Sequence, residues 1–157
     1  GECAHPCRWK YHIVEDKKDL KSMIILLKAH DALIKFIKKD IANTSFDLNE
    51  FAVFEVIYHK EKLTVNEIHD KVLVASSSLS YILNKLENKG YIKREEDVKD
   101  RRIKNVSLTK QGLTKAQSIF PKHYDNLKTI FNKLNKEEQQ TLNNLLKVIG
   151  FEAKARL

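Results

Sequence analysis

The sequence predicts a mainly α-helical protein with one small β-hairpin, an α+β arrangement of six helices. Three observations predict it. Apolar residues recur at threes and fours along most of the 157 residues, the spacing that gives a helix one apolar face. Helix breakers are scarce, with four Gly and two Pro, so the helices should be long. One interval alone, Tyr91–Glu95 and Ile103–Leu108 about the charged turn Glu96–Arg102, reads as paired strands.

The totals suit a folded chain. Hydrophobic residues make up 42% and charged residues 32%, too apolar for extensive disorder and long enough for a real core. A formal charge of +8, from 29 Lys and Arg against 21 Asp and Glu, fits a polyanion partner or simply a soluble basic protein. The longest unbroken apolar run is Met23–Leu27, far short of the ~20 residues a membrane span needs. No apolar signal region opens the chain, so a cytoplasmic protein without a membrane partner is expected. The opening GECAHPCRWKYH lacks a Met and a helical period, so residues 1–17 read as a tail or foreign remnant and 18–157 as a single domain. Cys3, His5 and Cys7 fall short of a four-ligand tetrahedral set, and neither a metal site nor a cofactor is expected.

From Asp19 to about Ala42, Leu20, Met23, Ile24, Leu27, Ile34 and Ile37 form a helical stripe, widened by Ile25, Leu26, Leu33 and Phe36. A stripe that broad calls for burial on more than one side, as at a subunit interface. Asp47 and Glu50 form a capping box opening a helix from Leu48 to about His59, with Phe51, Val53, Phe54, Val56 and Ile57 inward. Leu63 adds a brief strand. Thr64 and Glu67 form a second capping box for a short helix, and Ala75–Ser76 offers the next N-cap. The helix that follows stops at Gly90, suited to a left-handed cap, and turns Leu79, Ile82, Leu83 and Leu86 inward. Thr109 caps a helix reaching Leu134, which Pro121 should kink. Asn135 and Glu138 open the last helix, with Leu142, Leu145, Leu146 and Ile149 on one face.

The chemistry concentrates between Leu63 and Leu108. The helix from Ser76 presents Ser76, Ser77, Ser78, Tyr81, Asn84 and Lys85 away from its apolar arc. One α-helix fits the major groove of B-DNA, and short hydroxyl side chains at its start let backbone amides approach a phosphate. Taken alone, serines at a helix start are ordinary capping residues and Tyr81 an ordinary surface residue. The hairpin decides the matter. Its tip carries Lys99, Asp100, Arg101 and Arg102 directly after a helix–turn–helix. A tip arginine can enter the narrow minor groove, and Asp100 can hold a neighbouring guanidinium in place. The joint pattern predicts double-stranded DNA as partner, with Ser77, Tyr81 and Asn84 in the major groove and Arg102 in the minor.

Asp97-Val98-Lys99-Asp100-Arg101-Arg102, followed by Val106-Ser107-Leu108-Thr109 and Gly112, resembles the wing signature of the MarR family of bacterial regulators. Leu86-Glu87-Asn88-Lys89-Gly90-Tyr91-Ile92 resembles the end of that family's recognition helix, and the likeness extends over Asp19–Phe151. Phe46–Val53 and Lys71–Ser76 are similar to its MhqR-like, quinone-responsive branch. The resemblance implies a homodimeric winged helix-turn-helix repressor, with 46–109 binding DNA and helices of 18–45 and 110–157 joining the partner copy. It also implies release from a palindromic operator by a small phenolic or quinone-like ligand or an oxidative signal. Arg102 matches the family's minor-groove arginine and Asp100 its positioning acid. Oxidant-sensing relatives use a thiol within the fold, and this chain has no Cys after Cys7. Noncovalent binding between the DNA-binding and dimerisation parts is therefore expected, with His30, Phe54 and Tyr58 as candidate pocket walls.

Two other readings remain open. His30, His59, His69 and His123 could supply a zinc sensor on the same fold, although none stands at an i, i+4 spacing from another. A winged helix used only for protein contacts is the second. An enzyme is not expected, since the chain has no HExxH, no GxSxG and no phosphate-cradling glycine loop.

Overall fold

A computed structural model describes Leu20–Leu157. The expectations for residues 1–17, Cys3, His5 and Cys7 included, lie outside the described residues. Six α-helices and three short strands alternate as α1 (Lys21–Asp40), α2 (Leu48–His59), β1 (Leu63–Thr64), α3 (Val65–Lys71), α4 (Ser76–Asn88), β2 (Ile92–Glu96), β3 (Lys104–Leu108), α5 (Lys110–Phe131) and α6 (Lys136–Ala155). A single turn of 3-10 helix, Ala42–Thr44, follows α1.

Local chemistry explains most boundaries. Thr64 and Asn135 each accept from the backbone three residues on, while Glu67 and Glu138 reach back, completing both capping boxes. Gly90 ends α4 at φ 78°, in the left-handed region where a Cβ would be strained. The expected box at Asp47 forms only by half. Asp47 Oδ1 accepts from the Glu50 amide at 2.8 Å, but the Glu50 carboxylate turns away from the cap. The N-cap of α4 is Ala75, not a serine, and no side chain caps that helix. α5 runs unbroken through Pro121 and ends at Phe131, short of the expected Leu134.

The strands form one antiparallel sheet in the order β1-β3-β2. Ile92 lies opposite Leu108 and Glu96 opposite Lys104, so the first strand is shifted by one residue toward the tip and the second starts one residue later than expected. Leu63 pairs with Val106, which ties the start of α3 to the hairpin.

The core lies between α2, α4, the sheet and the first half of α5. Phe51, Phe54 and Ile57 from α2 meet Leu79, Ile82, Leu83 and Leu86 from α4, all but sealed from solvent. Phe120 of α5 enters from the other side, its ring 5.2 Å from Phe51, 5.7 Å from Phe54 and stacked 5.0 Å from Tyr58. Offset and tilted aromatic contacts of this kind add to the burial of area itself. Among the described residues, none of α1 or α6 is buried. Ile25, Leu145, Val148, Ile149 and Phe151 are all more than half exposed, an apolar surface too large for isolated helices facing water.

Candidate nucleic-acid interface

α4 is amphipathic because its sequence repeats apolar residues at three and four, and burial of Leu79, Ile82, Leu83 and Leu86 leaves a polar face outward. Ser76, Ser77, Ser78, Tyr81 and Asn84 are all on that exposed side. Ser76 Oγ lies 3.1 Å from His69 Nε2 on α3, joining the two helices of the motif. The uncapped first turn leaves its amide groups without a side-chain partner, and such a helix start attracts anions.

Lys85, expected among the DNA contacts, is committed inward. Its Nζ donates to Glu50 Oε1 at 2.6 Å, and Lys89 Nζ donates to Glu50 Oε2 at 3.1 Å. Glu50 is only 2% exposed. Burial pushes its carboxyl pKa up, but the hydrogen bonds from Lys85 and Lys89 outweigh that and hold it below the ordinary glutamate value. The bond to Glu50 in turn raises the Lys85 pKa. The interaction anchors α4 on α2.

The wing tip is an ordered turn. Asp97 Oδ2 accepts from the amides of Lys99 (2.9 Å) and Asp100 (3.2 Å), and its Oδ1 accepts from Asn105 Nδ2 at 3.0 Å. The Asn105 bond and these amides hold the Asp97 carboxyl below its usual range. Asp100 grips Arg102 in a fork, taking Nε at 3.1 Å on one oxygen and Nη2 at 3.0 Å on the other. The arginine is 90% exposed, so its guanidinium is oriented yet open to a ligand. Lys99 and Arg101 are exposed beside it.

The structure therefore brings the expected serines, Tyr81, Asn84 and the tip residues to exposed positions of one helix and the hairpin that follows it. The three expected pocket residues are placed differently from one another. Phe54 is fully buried in the core, Tyr58 stacks on Phe120, and His30 is exposed on α1. A cleft of about 580 Å³ lies instead between the end of α1 and α5, lined by Lys39, Asp40, Lys115, Lys122, His123 and Asn126 among others. His123 is buried there, with Nδ1 donating to Asp40 Oδ2 at 2.6 Å while Asn126 donates to Oδ1 at 2.6 Å. No group of three or more His, Cys, Asp or Glu among the described residues could hold a metal ion.

Residues 45–103 match the model of the MarR family. The regulator MhqR of Bacillus subtilis (strain 168) is 33% identical over 138 residues, 88% of this chain and 95% of that protein. The chain belongs to the MarR family of transcriptional regulators. It is a DNA-binding regulator and not an enzyme. Solved members share the winged-helix fold. FabT of Streptococcus pneumoniae, solved in complex with DNA, superposes with a TM-score of 0.72 at 19% identity, covering 87% of this chain and 98% of that one. NadR, solved in complex with 4-hydroxyphenylacetate, gives 0.66 at 20% identity over 80% of this chain and 89% of its own. No described helix is long and apolar enough to cross a membrane.

Sequence reasoning missed Glu50, Lys89, Glu87 and Arg94. A signal for two of them was there. Glu50 stands three, four and seven residues before Val53, Phe54 and Ile57, on the inward face of α2, and Arg94 shares a strand face with the buried Ile92. A charge on an inward face implies a partner.

Proposed function

We propose that this MarR-family chain acts as a homodimeric, cytoplasmic repressor in a stress response, bound to a palindromic operator until a small phenolic or quinone-like ligand loosens it. The observation that carries the DNA reading is the wing tip, where Asp100 presents an exposed Arg102 in fixed orientation. In this reading Ser76, Ser77, Ser78, Tyr81 and Asn84 meet the major groove and its phosphates, Arg102 enters the minor groove, and Lys99 and Arg101 lie along phosphates. Lys85 acts mainly through Glu50. Replacing Arg102 with Ala is expected to weaken operator binding by about tenfold or more. Fluorescence anisotropy on a duplex selected from random sequence measures it, and unchanged affinity would remove Arg102 from the interface.

The homodimer is supported by the exposed apolar faces of α1 and α6, which no other described residue covers. We assign the effector to the cleft between α1 and α5, not to His30, Phe54 and Tyr58. Its volume suits a small aromatic, and Lys39, Lys115 and Lys122 suit a phenolate or carboxylate. NadR's complex with 4-hydroxyphenylacetate supports an effector of this class. Two chains are expected per selected duplex, with half-sites about one helical turn apart, and a panel of phenols and quinones should contain a compound that releases it. One chain per duplex would refute the dimer; a panel without effect would refute the effector class.

A further inference from the structure

Arg94 stands on β2 beside the recognition helix, and its guanidinium meets two residues of α4. Nε donates to Glu87 Oε2 at 2.8 Å and Nη2 to Glu87 Oε1 at 3.3 Å. Nη2 also donates to Asn84 Oδ1 at 2.6 Å. The bonds from Arg94 hold the Glu87 carboxyl below its ordinary range, so the acid stays ionised and the clamp closed. Glu87 and Asn84 are one turn apart on α4 and thus side by side on its surface.

A guanidinium has donors and no acceptor, so only the amide oxygen of Asn84 can face it. The Asn84 NH2 group is thereby turned away from Arg94, on the exposed side of the helix. We propose that Arg94 is a positioning residue that sets base preference: it fixes the Asn84 amide so that its N–H donors meet the major groove.

This rests on the reading that places Asn84 against base edges. In the major groove guanine offers N7 and O6, adenine N7 and thymine O4 as acceptors, whereas cytosine offers only its N4 donor. An amide locked with its donors outward meets cytosine donor to donor and excludes it. Its oxygen, already engaged by Arg94, serves poorly as an acceptor. Once Arg94 is gone the amide turns over about its last torsion, a broad and nearly two-fold rotation, and offers the oxygen. Cytosine then becomes acceptable at the same position.

Selection of bound duplexes from random sequence tests this, run on the full chain and on N84A, R94A and E87Q. The parent is expected to disfavour cytosine about tenfold at one position of each half-site. N84A should make that position indifferent. R94A should admit cytosine there and leave the other positions as they were. E87Q, which loosens Arg94 without removing it, should shift the same position less, and it stands in should R94A fold poorly. If N84A changes no position, Asn84 is not in the groove, and both the placement and this inference fall. If N84A changes one position while R94A and E87Q leave it alone, or weaken binding evenly everywhere, the inference falls and the placement stands. A purely structural Arg94 would lower affinity without altering which base is chosen.

Discussion

Replacing Gly112 with alanine is expected to cost about 4 kcal/mol of stability, among the largest effects of any single change in this chain. Gly112 lies in the first turn of α5, where the helix starts against the hairpin. A Cβ there would stand 1.9 Å from the carbonyl oxygen of Tyr91 and 2.8 Å from its carbonyl carbon. Both sides of the clash are backbone. The Tyr91 oxygen also accepts from the Thr109 amide at 3.0 Å, and the Thr109 hydroxyl bonds the carbonyl of Gly90, so the junction has little room to open. Chemical denaturation followed by helix signal measures the loss. A midpoint close to the parent's would show that α5 can shift away from Tyr91 at little cost.

The second large effect concerns Glu50. Changing Lys85 and Lys89 together to methionine leaves its buried carboxylate without its two cationic donors, and the uncompensated charge should cost about 3 kcal/mol at neutral pH. The pH dependence carries the sharper signature. In the parent, the Glu50 pKa lies below its ordinary value of 4.5. It therefore contributes stability above that value, lost as pH falls through the depressed one. In the double variant, burial is left as the main influence and pushes the pKa up. The folded state then takes up a proton more readily than the unfolded chain, and acidification from neutral pH relieves the penalty. Between pH 7 and about pH 5 the Glu50 contribution should stay nearly flat in the parent and become more favourable on acidification in the variant. Adding Glu50→Gln to the variant should recover most of the loss at pH 7. Equal pH slopes in parent and variant would mean that Glu50 is solvated well enough to need no partner.

These two sites mark where the sequence was legible and where it was not. Signals that act within a few residues were read correctly: the boxes at Thr64 and Asn135, the left-handed Gly90, the inward set Leu79, Ile82, Leu83 and Leu86. The same local logic misled at Glu50. Its position after Asp47 has the form of a capping box, but lysines 35 and 39 residues away offered a stronger partner to a carboxylate on the buried face. The helix α5 carries on past the exposed Pro121 as expected, but ends at Phe131, three residues before Leu134. At the wing, the fork between Asp100 and Arg102 was readable because the two residues are neighbours in the chain. The Glu87–Arg94–Asn84 contact was not, because it depends on how the hairpin folds back on α4. Effector chemistry was the least legible. The cleft between α1 and α5 gathers Asp40 and His123 from distant parts of the chain, and no spacing in the sequence announces that meeting.

The strand order has a thermodynamic consequence. An isolated two-stranded hairpin is marginal in water, yet here β3 lies between β2 and β1, and Val106 stands opposite Arg94 on one side and Leu63 on the other. The backbone at the base of the wing is thus ordered when the chain folds, before any duplex arrives. Its conformational entropy belongs to folding and not to association. In the proposed complex, contact with DNA has mainly side-chain rotamers left to restrain, those of Tyr81, Lys99, Arg101 and Arg102 among them. The heat-capacity change of complex formation should accordingly match rigid burial of the contacted surface, without the excess that accompanies a segment folding onto its target.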